Sequence, residues 1–155
     1  MMDLVVDANI LIAALIKQST TAELMLEDSI HLYAPEFLLD EFSKYETEIL
    51  AKTHRTEEDF YSFLEIMKRR INFIPQDEIN SLLEEAEETS PDPNDVVYFA
   101  SAFKIGGQIW SNDKRMRDQS KVEIISTSDL LHRLNWNTEQ DVQGGGNNPP
   151  ENSSG

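Results

Sequence analysis

The stretch QIWSNDKRMR, residues 108–117, changes character within a few positions. Ile109 and Trp110 read as protein interior. Ser111, Asn112 and Asp113 are polar, and Lys114, Arg115 and Arg117, with Lys121 just beyond, are cationic. An apolar strand is thus delivering a carboxylate to its own end. The N-terminus repeats the pattern, because LVVDAN, residues 4–9, runs from an uninterrupted apolar strand straight into Asp7. Such runs belong to strands buried on both faces. An Asp placed directly after one needs compensation for its lost hydration.

Working outward, HLYAP (31–35), INFIP (71–75) and VEIIS (122–126) read as further short strands, with helical patterns between them. Asn9–Ile16 reads as one helix, and Thr20 or Thr21 caps a second that runs through Ser29. Leu38, Phe42, Tyr45 and Ile49 form the apolar stripe of a third. Thr56 with Asp59 resembles a capping box opening a fourth, which carries Phe60, Phe63, Leu64 and Met67. Ile79, Leu82, Leu83 and Ala86 mark a fifth. Asp92-Pro93 opens a sixth that runs to Ile105 and is closed by Gly106-Gly107, and TSDLLHRL (127–134) is the last. Alternating β and α units predict an α/β fold with a central parallel sheet of four to five short strands flanked by helices. In such sheets ligands bind beyond the carboxyl ends of strands, where the strand order switches direction. Asp7 and Asp113 both fall at such ends. Residues 137–155, NTEQDVQGGGNNPPENSSG, read as a disordered tail after a domain spanning 1–136.

Composition narrows the functional classes. The 155 residues suit one domain, and 39% hydrophobic content supports a packed core. There is no cysteine and there are three scattered histidines, which argues against disulfides and structural zinc. No signal peptide or membrane-spanning run is visible, so a cytoplasmic protein is expected. Twenty-nine acids against 13 bases leave a net charge of −16. That charge disfavours polyanion binding through a broad basic face, so any nucleic-acid chemistry calls for another attractor, such as a bound divalent cation.

Two further acids sit oddly for a solvated surface. Glu41 lies about 60° from Leu38 around its helix, on the shoulder of the apolar stripe. Asp95 lies one turn before Phe99, beside a face formed by Val96, Phe99, Ala100 and Phe103. Each acid also has a plain structural role open to it. Asp113 can be a turn residue and Glu41 a boundary residue. Asp92 can be an N-cap with Pro93 behind it, and Asp95 can complete a capping box. Their combination is what points to a site.

LVVDANIL, APEFLLDEF, PDPNDVVYFASAFKIGGQIWSND and VEIISTSDLL resemble, in order and spacing, the motifs of the PIN domain, over roughly residues 2–134. The resemblance implies a metal-dependent nuclease, similar to the VapC-like toxins of toxin–antitoxin pairs. It further implies that Asp7, Glu41, Asp95 and Asp113 hold Mg²⁺ or Mn²⁺, with Asp92 a second-rank ligand. The chemistry suits those residue types. Two carboxylates ~4 Å apart repel by roughly 4 kcal/mol at an effective dielectric of ~20. A hard divalent cation relieves such repulsion and accepts oxygen ligands. Water made more acidic by the metal can then attack a phosphodiester in line, with no protein nucleophile. Asn9, Ser111 and Asn112 are neutral polar groups able to orient water or carboxylates, or else to cap and turn the chain. Lys114, Arg115 and Arg117 could contact RNA phosphates.

The expected function is an RNA-cleaving toxin restrained by an antitoxin protein. The alternative is a non-catalytic PIN-fold binding or scaffold module. A phosphohydrolase using an aspartyl nucleophile is disfavoured, because DANIL lacks the second Asp that such a site wants. Phe42, Tyr45, Phe60, Tyr61, Phe63, Leu64 and Met67 exceed what one buried face needs. That excess predicts a homodimer and an antitoxin contact through the helices between residues 38 and 70.

Overall fold

The structure, a computed structural model, describes residues 1–136. The expected tail, 137–155, lies outside the described residues. Five strands form one sheet: β1 (Met2–Val6), β2 (Ile30–Pro35), β3 (Ile71–Ile74), β4 (Gln108–Trp110) and β5 (Ile124–Ile125). Their order is β3-β2-β1-β4-β5, and every pairing is parallel. The α/β expectation is met. Leu4, Val5, Val6, Ile109 and Trp110 are fully buried, as central strands covered on both faces should be.

Eight α-helices connect these strands among the described residues: α1 (Ala8–Ile16), α2 (Thr20–Met25), α3 (Phe37–Lys52), α4 (Glu57–Arg70), α5 (Gln76–Ile79), α6 (Leu83–Thr89), α7 (Val96–Ile105) and α8 (Thr127–Arg133). The chain moves outward from β1 to β2 to β3, then returns across β1 to lay down β4. Right-handed crossovers therefore put α1–α4 on one face and α5–α7 on the other. The contacts agree: α1 packs on α2, α3 and α4, while α7 packs on α5, α6 and strands β1, β2 and β4. The loop between α3 and α4 closes the end of α1. Thr53 Oγ1 donates to the carbonyls of Leu15 and Ile16, and Arg55 Nη2 donates to that of Ala14. No helix among the described residues is long and apolar enough to cross a membrane.

Several local expectations are corrected. The second helix is capped by Ser19, whose Oγ accepts from Ala22 N, and it stops at Met25 rather than Ser29. Leu26 N and Glu27 N bond three residues back, tightening the last turn, and Arg70 donates to the carbonyl of Met25 at the helix end and to that of Glu27 beyond it. The fifth predicted helix breaks into α5, a 3-10 turn at Asn80–Leu82, and α6. Asp92-Pro93 opens a 3-10 turn, Pro93–Asp95, before α7 begins at Val96; Asp92 is its N-cap, accepting from Asn94 N, and the alternative of a capping box completed by Asp95 is not formed. Gly106 closes α7 at φ +65°, a left-handed conformation that glycine adopts without strain.

The stripe of α3 holds at Leu38, Phe42 and Ile49, but Tyr45 is 51% exposed. Leu39 and Leu50 also pack on the core, and at 100° per residue they lie about 100–120° from Leu38. The covered arc is therefore centred away from Tyr45, which falls on its margin. The apolar excess expected between residues 38 and 70 is mostly absorbed as well. Phe42, Phe60, Phe63, Leu64 and Met67 are buried, and Tyr45, Tyr61 and Ile66 are the exposed large apolar side chains of that segment.

Candidate active site

β1 and β4 are neighbours on which the chain leaves in opposite directions, so the switch point lies between their carboxyl ends. Asp7 follows β1 there. Its N–H donates to the Trp110 carbonyl at 3.1 Å, continuing the β1–β4 pairing, and its side chain is buried. Ser111, the residue after β4, is buried too. Its Oγ donates to Asp7 Oδ2 at 2.8 Å and accepts from Asp113 N at 3.0 Å, so one hydroxyl links the two strand-end acids. Burial pushes the Asp7 carboxyl above its ordinary pKa. The Ser111 hydrogen bond and the nearby N–H groups of Asn9 and Ala8 pull it back, although neither N–H closes a capping bond, and Asp113 repels it.

Asp113 is a turn residue as well as a strand-end acid. Its Oδ1 accepts from Arg115 N at 3.0 Å, and the Arg115 guanidinium grips both carboxylate oxygens, at 3.3 and 3.2 Å. Those bonds hold its carboxyl below the usual range. Asp95 caps nothing with its side chain and is half-buried at the start of α7. Desolvation, then the charges of Asp7, Asp92, Asp113 and Glu41, push it up to about 6. Asp95 is therefore where the fields of the other acids meet. Glu41, half-buried on α3, accepts from the Tyr98 hydroxyl through Oε1 at 2.5 Å.

The remaining expected residues divide. Asn9 is exposed beside Asp7. Asn112 uses both side-chain heteroatoms on Thr127, donating to Oγ1 and accepting from N, so it anchors the start of α8 rather than the acids. Of the three cations considered for RNA contact, Arg115 lies on the Asp113 carboxylate, Arg117 pairs with Asp129, and Lys114 is exposed. Tyr98 was not anticipated. It is fully buried, three residues after Asp95, and a phenol within so apolar a helix is itself a signal, since a buried Tyr hydroxyl needs a partner.

A groove of about 400 Å³ runs past Asp92, Asp95 and Arg115. A larger open depression of about 610 Å³ lies by Arg117, Lys121, Glu123 and Arg133, but none of the four leading acids lines it and its cations are paired with Asp129, Glu85 and Glu123. Among the described residues no three His, Asp or Glu side chains stand in a finished metal-ligand array. Asp113 accepts from Arg115 and Glu41 from Tyr98, so each of these carboxylates has a partner of its own. The donor set nonetheless fits a hard divalent ion, being all carboxylate oxygen with Asp95 at a focus of negative charge.

An all-parallel sheet with acids at the carboxyl ends of its two switch-point strands is an α/β domain of the doubly wound class. The chain belongs to the PIN-domain family, whose pattern matches residues 5–135. In three dimensions it is similar to the crystal structure of VapBC2 from Rickettsia felis bound to a DNA fragment from their promoter. The TM-score is 0.55 at 16% identity, over 81% of this chain and 98% of that one, and at such identity the likeness shows the fold. No curated protein matches the chain.

Proposed function

We propose that this protein is a Mg²⁺- or Mn²⁺-dependent ribonuclease, with Asp7, Glu41, Asp95 and Asp113 holding the metal and Asp92 in a supporting rank. The observation that carries this reading is the pairing of the two strand-end acids at the switch point, where the buried Ser111 hydroxyl donates to Asp7 and accepts from Asp113 N; Asp95, pushed up by burial and by the charges of both, agrees with it. Structural acids are normally arranged to avoid such a convergence; functional sites use it. A divalent cation, when bound, supplies Lewis-acid chemistry: it makes water more acidic and offsets charge developing on the phosphate. The chain's own residues do the rest. Ser111 holds Asp7 oriented and favours its anion, and the turn at Asp113 fixes that carboxylate just beyond the end of β4. Lys114 is free to meet an RNA phosphate.

The relationship to toxin–antitoxin nucleases favours a cytoplasmic toxin that pairs with itself and with an antitoxin. The exposed Tyr45, Tyr61 and Ile66 of α3 and α4, what is left of the apolar excess, support a contact surface there. One observation favours a non-catalytic scaffold instead: Arg115 already neutralises part of the acidic cluster. A Mn²⁺ titration separates the two. The nuclease reading expects a higher melting temperature with Mn²⁺ and cleavage of single-stranded RNA that Asp7→Asn abolishes. No stabilisation at millimolar Mn²⁺ or Mg²⁺ would sink it. Light scattering at micromolar concentration tests the dimer, and a monomer there removes that part.

A further inference from the structure

Tyr98 joins two acid-bearing helices. It sits in the first turn of α7, three residues beyond Asp95, and is 1% exposed. Its hydroxyl donates to Glu41 Oε1 of α3 at 2.5 Å, across 57 positions of sequence. A hydroxyl that donates to a carboxylate makes a charge-assisted hydrogen bond, stronger than one between neutral groups. Glu is also among the side chains with most rotamer freedom to lose, and at a half-buried position it stays mobile unless something holds it. A core tyrosine is satisfied by any acceptor, and backbone carbonyls are the most abundant. Here the acceptor is a carboxylate whose charge reaches Asp95.

We propose that Tyr98 is the positioning residue of the metal site. It binds Oε1 of Glu41, immobilises that carboxylate beside Asp95, and leaves Oε2 as the oxygen free to ligate. One turn of α7 then sets two ligands at once, Asp95 directly and Glu41 through the phenol. This role rests on the divalent-cation reading of the acids. Groups that orient a ligand from behind typically cost about 10- to 100-fold in metal affinity when lost.

The test is Mn²⁺ binding to the full chain by calorimetry, alongside melting in EDTA. Tyr98→Phe keeps the ring and its packing and deletes one oxygen. It is expected to weaken Mn²⁺ binding about tenfold, while melting in EDTA stays a single cooperative transition lowered only by the loss of that one hydrogen bond. In a Glu41→Ala background the same substitution should cost nothing further, because Tyr98 acts through the Glu41 carboxylate and Ala leaves it no acceptor. Wild-type Mn²⁺ affinity in Tyr98→Phe overturns the proposal, and so does a loss that persists undiminished beside Glu41→Ala. Should wild type itself bind no Mn²⁺, the metal-dependent function falls together with it, a pattern distinct from failure of Tyr98 alone.

Discussion

Replacing Asp95 by Asn should stabilise the metal-free protein, and by an amount that depends on pH. The Asp95 carboxyl rises from 3.8 to about 6 on folding, because desolvation and four neighbouring acids oppose its charge. At about 1.4 kcal/mol per pKa unit that is roughly 3 kcal/mol, which solvent screening at a half-exposed position reduces to about 1.5 kcal/mol. The sign follows from linkage. An acid whose folded pKa lies above its unfolded value binds more protons in the native state, so its ionisation costs stability. The cost is full above the folded value of about 6 and fades as pH falls towards 3.8. Asn cannot ionise and so avoids it. For a domain of this size, ~1.5 kcal/mol corresponds to roughly 3–6 °C in melting temperature. Thermal melts in EDTA should therefore show Asp95→Asn above wild type by that margin at pH 8, with the two converging only near pH 3. Adding Mn²⁺ at pH 8 should raise wild type and leave the variant nearly unmoved. An Asn variant that is less stable than wild type by the same amount at both pH values would refute the reasoning, and Asp95 would then be a structural group at the start of α7.

Three other substitutions probe neighbouring contacts. Ser111→Ala removes the 2.8 Å hydrogen bond to buried Asp7 and should cost about 1–3 kcal/mol in urea unfolding at pH 8. That cost should shrink at low pH, where Asp7 is neutral, and a pH-independent loss would assign Ser111 to packing alone. Gly107→Ala should destabilise by about 1–3 kcal/mol, since a Cβ there would stand 2.5 Å from the Asp3 carbonyl oxygen. A neutral result in chemical denaturation would mean that β1 yields. Arg115→Gln breaks an exposed ion pair and should leave stability nearly unchanged. By freeing Asp113 it should also tighten Mn²⁺ binding, and unchanged affinity in calorimetry would show that Arg115 is no competitor for that carboxylate.

Much of the architecture is local and so was legible. LVVD and QIWSND declare buried strands ending in acids, because burial on both faces demands continuous apolar residues and the polar break must follow at the strand end. Gly106-Gly107 marks the end of α7 because the backbone there turns left-handed. Helix limits were less legible. Arg70 helps end α2 from 45 residues away, and Leu39 and Leu50 shift the covered face of α3 past Tyr45.

The sequence by itself determined which residue types are available and where chain geometry puts them: acids at two strand ends, one on a helix shoulder and one at a helix start. Only tertiary structure decided what they do to one another. Strand order sets β4 against β1, and that adjacency lets Ser111 bridge Asp7 and Asp113. Packing of α7 across β1 and β2 brings Tyr98 to Glu41, and the Arg115 turn folds a cation onto Asp113. The rise of the Asp95 carboxyl belongs wholly to this level. A pKa depends on burial and on charges within a few ångströms, and residues 7, 41 and 113 become neighbours of residue 95 only once the sheet has closed its order.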